Sequence, residues 1–83
     1  MTTLIIGASP NRHRYSNKAI QKLRKLNFDV YALGLNDGLI MDVKIQIKPI
    51  KFKKIHTVSM YLRPQNQSQY LNYLLKLMPK RVI

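Results

Sequence analysis

Leu4-Ile5-Ile6-Gly7-Ala8-Ser9-Pro10-Asn11-Arg12-His13-Arg14-Tyr15-Ser16-Asn17 carries an apolar run through a turn of small residues into the start of a helix. A strand ending in such a turn exposes backbone N–H groups, and the helix behind it adds the positive end of its dipole, so the junction suits an anionic group. The run Thr3 to Ile6, bounded by Gly7, predicts a strand buried on both faces at the centre of a parallel sheet. From about Ser16 the period changes. Ala19, Ile20, Leu23 and Leu26 form one stripe, with Lys18, Gln21, Lys22, Arg24 and Lys25 off it, which predicts an amphipathic helix capped by Ser16. Asn27 suits a left-handed helix end, and Phe28 to Leu33 reads as a second buried strand.

Outward from this β-α-β unit the signals continue. Gly34-Leu35-Asn36-Asp37-Gly38 carries turn chemistry. Leu39 to Ile47 then alternates, with Val43, Ile45 and Ile47 on one side and Lys44, Gln46 and Lys48 on the other, as irregular extended structure or an edge strand. Thr57 to Leu62 predicts a third buried strand ending at Arg63-Pro64. A second helix is expected from about Asn66 or Gln67 to Met78, ended by Pro79, and Arg81-Val82-Ile83 opens a further strand. Strands alternating with helices imply right-handed crossovers and a three-layer, Rossmann-like α/β parallel sheet. Its last strand has nothing to cover it, so the expectation is one domain over residues 1–83, either truncated at the C-terminus or completed by a partner.

Composition narrows the chemistry. With 83 residues there is room for one small domain, and the hydrophobic share of 46% suits a globular chain. The absence of cysteine excludes disulfides, thiolate metal sites and cysteine nucleophiles. Met1-Thr2-Thr3 lacks the basic lead of a signal peptide, and no apolar run approaches the ~20 residues that span a bilayer, so a cytoplasmic protein away from membranes is expected. Fifteen cations face three aspartates, a net charge of +12, which favours anionic partners. Lysines 44, 48, 51, 53 and 54 make the most basic strip. They either discourage edge-to-edge pairing or bind nucleic acid, with Phe52 as the sole aromatic there for base stacking.

The first turn lacks the G-x-G-x-x-G pattern, since Pro10 follows Ser9 and the next glycine is Gly34. The acid that would hold an adenosine ribose at the end of the second strand is also missing, where Leu33-Gly34-Leu35 stands. Both facts disfavour NAD. Arg12, His13 and Arg14 ahead of a helix start suit several phosphates instead, as in a phosphorylated nucleotide. His13 and His56 have no acid at triad or metal-site spacing, Ser9 and Ser16 have no base partner, and the aspartates are dispersed, so neither a catalytic set nor a metal site is expected. Tyr70 and Tyr73 fit core or dimer packing. Arg63-Pro64, at the sheet edge where open α/β folds bind ligands, is either a ligand contact or a surface cation before a helix.

Gly7-Ala8-Ser9-Pro10, Arg14-Tyr15-Ser16-Asn17, Gly38-Leu39-Ile40-Met41 and Tyr61-Leu62-Arg63-Pro64 with Lys80-Arg81-Val82-Ile83 together resemble the bacterial CoA-binding domain family, which is related to the N-terminal domain of the succinyl-CoA synthetase alpha subunit. The resemblance spans nearly the whole chain. It implies a Rossmann-like domain holding coenzyme A, with Gly7, Ala8, Ser9, Pro10, Arg14, Tyr15 and Ser16 on the phosphate side and Gly34 and Arg63-Pro64 bordering the groove. Arg12 joins them from the basic loop. The family supports binding more than catalysis, so a non-enzymatic module is expected, self-associating as a homodimer or working beside an acyl-CoA ligase. Two departures stand out. Ala32-Leu33-Gly34-Leu35 replaces a Pro-Val-Asn-Pro-like segment, and the family continues past its Arg-Val-Ile strand into more helix and strand.

Overall fold

The computed structural model describes residues 2–48, 52, 54–62, 67, 70–77 and 79–83. In chain order they form β1 (Thr2–Ala8), α1 (Tyr15–Lys25), β2 (Asp29–Gly34), β3 (Gly38–Ile40), β4 (Val43–Gln46), β5 (Thr57–Met60), α2 (Leu71–Leu77) and β6 (Arg81–Val82). The strands make one six-stranded sheet in the order β3-β4-β2-β1-β5-β6. All neighbours run parallel except β3, which pairs antiparallel with β4.

The centre of β1, Leu4 to Ile6, is a continuous apolar run because both of its faces are covered. Leu4 and Ile6 join Leu33, Phe52, Ile55, Val58 and, from α2, Leu74 and Leu77 in one core. Ile5 and Ala8 face the other way, among Ile20 of α1, Ala32, Ile40, Val43 and Ile45. Three layers result, with α1 on one face and α2, Phe52 and Ile55 on the other. The helices fall on opposite faces because the right-handed crossovers β1-α1-β2 and β5-α2-β6 step in opposite directions from the sheet centre. That reversal puts the switch point of the sheet between the C-terminal ends of β1 and β5, where open α/β folds bind ligands.

Several boundaries depart from sequence expectation. β1 extends at both ends of Thr3 to Ile6, and β5 stops at Met60, short of Leu62. Ser16 is not the cap of α1. The cap position is Arg14, which makes no side-chain capping bond, and Ser16 is buried inside the first turn. Leu26 leaves the apolar stripe and is exposed, because the helix has already ended there. Asn27 does close it, at φ 63, with its N–H donating to the Arg24 carbonyl and that of Phe28 to the Leu23 carbonyl, both at 3.0 Å, the double bond of a Schellman ending.

The larger correction concerns residues 39–47, which form a hairpin in place of a single edge strand. A two-residue turn, Met41-Asp42, lets β3 fold back on β4, so β4 lies inside the sheet against β2 and β3 is the edge. Val43 and Ile45 point into the core as the alternation predicts, but Ile47 lies beyond β4 and is exposed. The second helix is described over α2 and at Gln67, whose Nε2 donates to the Leu62 carbonyl at 3.0 Å. Lys51, Lys53 and the expected helix ends at Asn66 and Met78 lie outside the described residues.

Candidate functional site

Three strand ends converge at the switch point. Gly7 holds φ +91, a left-handed conformation that L side chains rarely adopt, and a Cβ there would sit 2.7 Å from the Tyr61 carbonyl oxygen. The Tyr61 N–H donates to the Ile6 carbonyl at 2.8 Å, so the segment after β5 is drawn against the end of β1. On the other side the ladder shifts register between Ile6 and Ala8, and Ala8 pairs with Gly34 at the end of β2. A Cβ on Gly34 would collide with the Ala8 carbonyl oxygen. These two glycines let the backbone of β1 approach both neighbours where the chain turns.

The turn itself is internally bonded. Ser9 Oγ accepts from the Asn11 N–H at 3.1 Å, Asn11 Oδ1 accepts from the His13 N–H at 3.0 Å, and the Arg14 N–H donates to the Asn11 carbonyl at 3.1 Å. Pro10 lies over the start of β3, where a Cβ on Gly38 would meet the Pro10 Cβ at 3.1 Å. Asn17 reaches back from α1 and donates through Nδ2 to the Ser9 carbonyl at 2.8 Å. The turn therefore leads α1 out in a fixed direction.

The first turn of α1 is open to an outside anion. Lys18 is the first residue whose N–H bonds within the helix, to the Arg14 carbonyl at 3.1 Å, so the N–H groups of Tyr15, Ser16 and Asn17 precede the ladder. No acid stands in this turn, and the cap adds no side-chain acceptor. Arg12, His13 and Arg14 are all exposed around it. Tyr15 is exposed as well, and Lys18 Nζ lies 5.7 Å from its ring centroid, adding a fourth basic residue. The donors present, oriented peptide N–H groups ringed by cations, fit a phosphate.

Of the residues singled out from sequence, Gly7, Ala8, Ser9, Pro10, Arg12, Arg14, Tyr15 and Ser16 lie on this one turn and helix start, and Gly34 packs against it through Ala8. Arg63 and Pro64 lie outside the described residues. Asn17 and Lys18 were missed as contributors. Asn17 had a signal, since a small amide at the third position of a helix beginning after a turn is well placed to bond backward. His56 stands at the start of β5, the opposite edge of the sheet, with Nδ1 2.8 Å from Thr57 Oγ1. A depression of about 310 Å³ also lies at that opposite edge, between the starts of β1 and β2, β4 and Arg24. Arg24 there donates from Nε and Nη2 to Asp42 and from Nη1 to the Phe28 carbonyl, so three of its five N–H groups are engaged inside the fold.

The fold and this junction define a doubly wound α/β ligand-binding domain. The chain belongs to the CoA binding domain family, whose model matches residues 1–83. A crystal structure of an uncharacterized protein is 34% identical, with a TM-score of 0.93 over 98% of this chain and 67% of its own. Another, of Prb, a protein redesigned for binding, has the same fold at 24% identity and a TM-score of 0.84, covering 98% of this chain and 58% of its own. The chain thus spans about two thirds or less of each of these solved structures. No curated protein matches it.

Proposed function

We propose that this chain binds coenzyme A, holding its phosphate groups on the open first turn of α1 and supplying no catalytic residue of its own. The observation that carries this reading is the uncapped, acid-free helix start behind the Gly7 turn, set at the switch point of a sheet whose family is named for CoA binding. Arg12 and Arg14 neutralise phosphate charge, the N–H groups of Tyr15 and Ser16 point donors at its oxygens, and Gly7 to Pro10 with Gly34 form the floor on which the ligand lies. Arg63-Pro64 borders the same groove in this reading. The net charge of +12 supports a ligand with several phosphates. The module works in the cytoplasm, as a homodimer or beside an acyl-CoA-using partner.

A nucleic-acid reading of the lysine strip is weaker. Lys44, Lys48 and Lys54 are exposed, but Phe52 is buried and stacked on Tyr31 with ring centroids 4.6 Å apart, which withdraws it from base stacking.

Isothermal titration of the folded chain with CoA, dephospho-CoA and NAD tests the binding. CoA should bind tightest and NAD weakest, and absence of heat with all three overturns the reading. Incubation with acetyl-CoA and a thiol reagent tests the rest: release of free CoA above the buffer rate would show that the chain is a catalyst after all.

A further inference from the structure

The charge of this chain is segregated along its sequence. Residues 26–43 hold all three acids and no cation, and all fifteen cations lie outside that span. The acidic span builds β2 and β3, and β3 is the edge of the sheet farthest from β6. The two-residue turn closes on Ile40 and Val43, so that pair and the pair of Gly38 with Ile45 exchange the backbone bonds of the hairpin. Leu39, opposite Lys44 in the pair between them, therefore turns its N–H and C=O away from β4. Among the described residues no strand takes them up. Leu35, Leu39 and Met41 of this span are 84%, 69% and 53% exposed. Ile40 packs with Ile20 of α1, so the side chain of Leu39 lies on the other face, away from the cations of that helix. The Arg24 guanidinium is closed on Asp42, which leaves Lys44 as the cation directly across from Leu39.

An edge that offers one outward donor and one outward acceptor on the same residue is complementary to itself. About a two-fold axis at Leu39, the N–H of each copy meets the C=O of the other, and the two exposed leucines lie side by side. We propose that β3 pairs antiparallel with β3 of a second copy, joining the two sheets into one. Each chain carries +12, so contact through its other surfaces sets cations against cations, whereas this edge brings together the spans that hold none. Asp37 of one copy falls opposite the Met41-Asp42 turn of the other, where Asp42 is already neutralised by Arg24. A basic peptide is the poorer occupant, because it must approach a strongly cationic chain, and nucleic acid is repelled by the acids of this span. The paired segment is short, so the dimer is weak and forms at high protein concentration.

The test is sedimentation of the full chain over a range of concentrations, without CoA, so that its failure and a failure of CoA binding are read separately. A monomer–dimer equilibrium is expected, strengthened by salt, which screens the remaining repulsion between two cationic chains. Leu39→Lys and Leu39→Glu each set like charges face to face at the axis and should weaken the dimer about tenfold, whereas an equal mixture of the two should associate again. Position 39 is exposed, so neither substitution touches the core. The chain has no cysteine, and Leu39→Cys should therefore oxidise to a covalent dimer, while Leu75→Cys, on an exposed position of α2, should not. A monomer at every concentration overturns the proposal. So does a mixture of the charged variants that associates no better than either alone, or a cysteine at 75 that cross-links as readily as one at 39.

Discussion

Asn17 Nδ2 donates to the Ser9 carbonyl at 2.8 Å and so ties the turn after β1 to the first turn of α1, from a side chain only 2% exposed. Gln21 Nε2 donates to Asn17 Oδ1 one helical turn later and fixes which end of the amide faces Ser9. Asn17→Ala should cost about 1–3 kcal/mol in urea unfolding, because it leaves a partly buried carbonyl without its donor. Asn17→Asp should cost CoA affinity as well, since it places a carboxylate at the helix start where phosphate is proposed to bind. If titration shows the aspartate variant binding CoA as tightly as the wild type, the phosphates do not lie on this turn.

Gly7 stands at φ +91 under the Tyr61 carbonyl, so Gly7→Ala meets strain and a clash together. A loss of about 2–4 kcal/mol is expected, the sum of a left-handed non-glycine residue and the shift needed to clear a 2.7 Å contact with backbone. Thermal and urea denaturation check it. A loss under about 0.5 kcal/mol, as at an ordinary surface site, would mean that β1 and the segment after β5 do not approach as described.

Arg12 and Arg14 flank the open helix start from exposed positions, so their replacement tests ligand binding with little effect on folding. Arg14→Glu should weaken CoA binding by about tenfold or more, and Arg12→Glu by less, because Arg14 is itself the cap residue of α1. The salt dependence of binding should flatten in both. Unchanged titration curves for the double variant would move the phosphates elsewhere.

How far the sequence could be read follows from which forces were local. The three central strands and α1 were legible because β1 is buried on both faces, so its apolar run is unbroken, and because Asn27 carries a helix-ending conformation in its residue type. The hairpin was not, because its turn is Met41-Asp42, and Met41 takes φ 55 without being a residue that favours it. The hairpin is held instead by Val43 and Ile45 in the core and by the distant Arg24, none of which a local pattern reveals. At the site, the same turn and helix start could be located from Gly7 and the basic loop. Its internal wiring through Asn11 and Asn17 depends on loop geometry that no periodicity encodes.

The clasp between α1 and the hairpin is the bidentate pair of Arg24 with Asp42, at 2.8 and 2.7 Å, and Arg24 also donates to the Phe28 carbonyl at 2.7 Å. The guanidinium bond holds the Asp42 carboxyl below its ordinary value of 3.8. A depressed carboxyl stabilises the fold above the unfolded value, and that contribution disappears as the pH falls through the lower folded-state value. Asp42→Asn should therefore lower stability slightly at pH 7 and not at all in strong acid, with salt shrinking the difference. Arg24→Ala should cost more than Asp42→Ala, because the Phe28 carbonyl loses its donor too. Equal losses in guanidinium titrations would show that the Phe28 bond contributes nothing.

Tyr73 on α2 gives the opposite pH signature. Burial disfavours its phenolate and pushes the hydroxyl from 10.0 up to about 12. The folded state therefore keeps the proton that the unfolded chain gives up near 10, so this contribution is intact below pH 10 and is lost as the pH rises toward 12. Ultraviolet titration of the phenolates should show one of the five tyrosines ionising last, and Tyr73→Phe should remove that final step. The phenylalanine variant should also lose less stability than the wild type between pH 10 and 12. Tyr70 packs against the same core cluster from the residue before α2, and Tyr70→Phe serves as the comparison. If Tyr70→Phe removes the late step and Tyr73→Phe does not, the register of α2 against β5 is rotated from the one described.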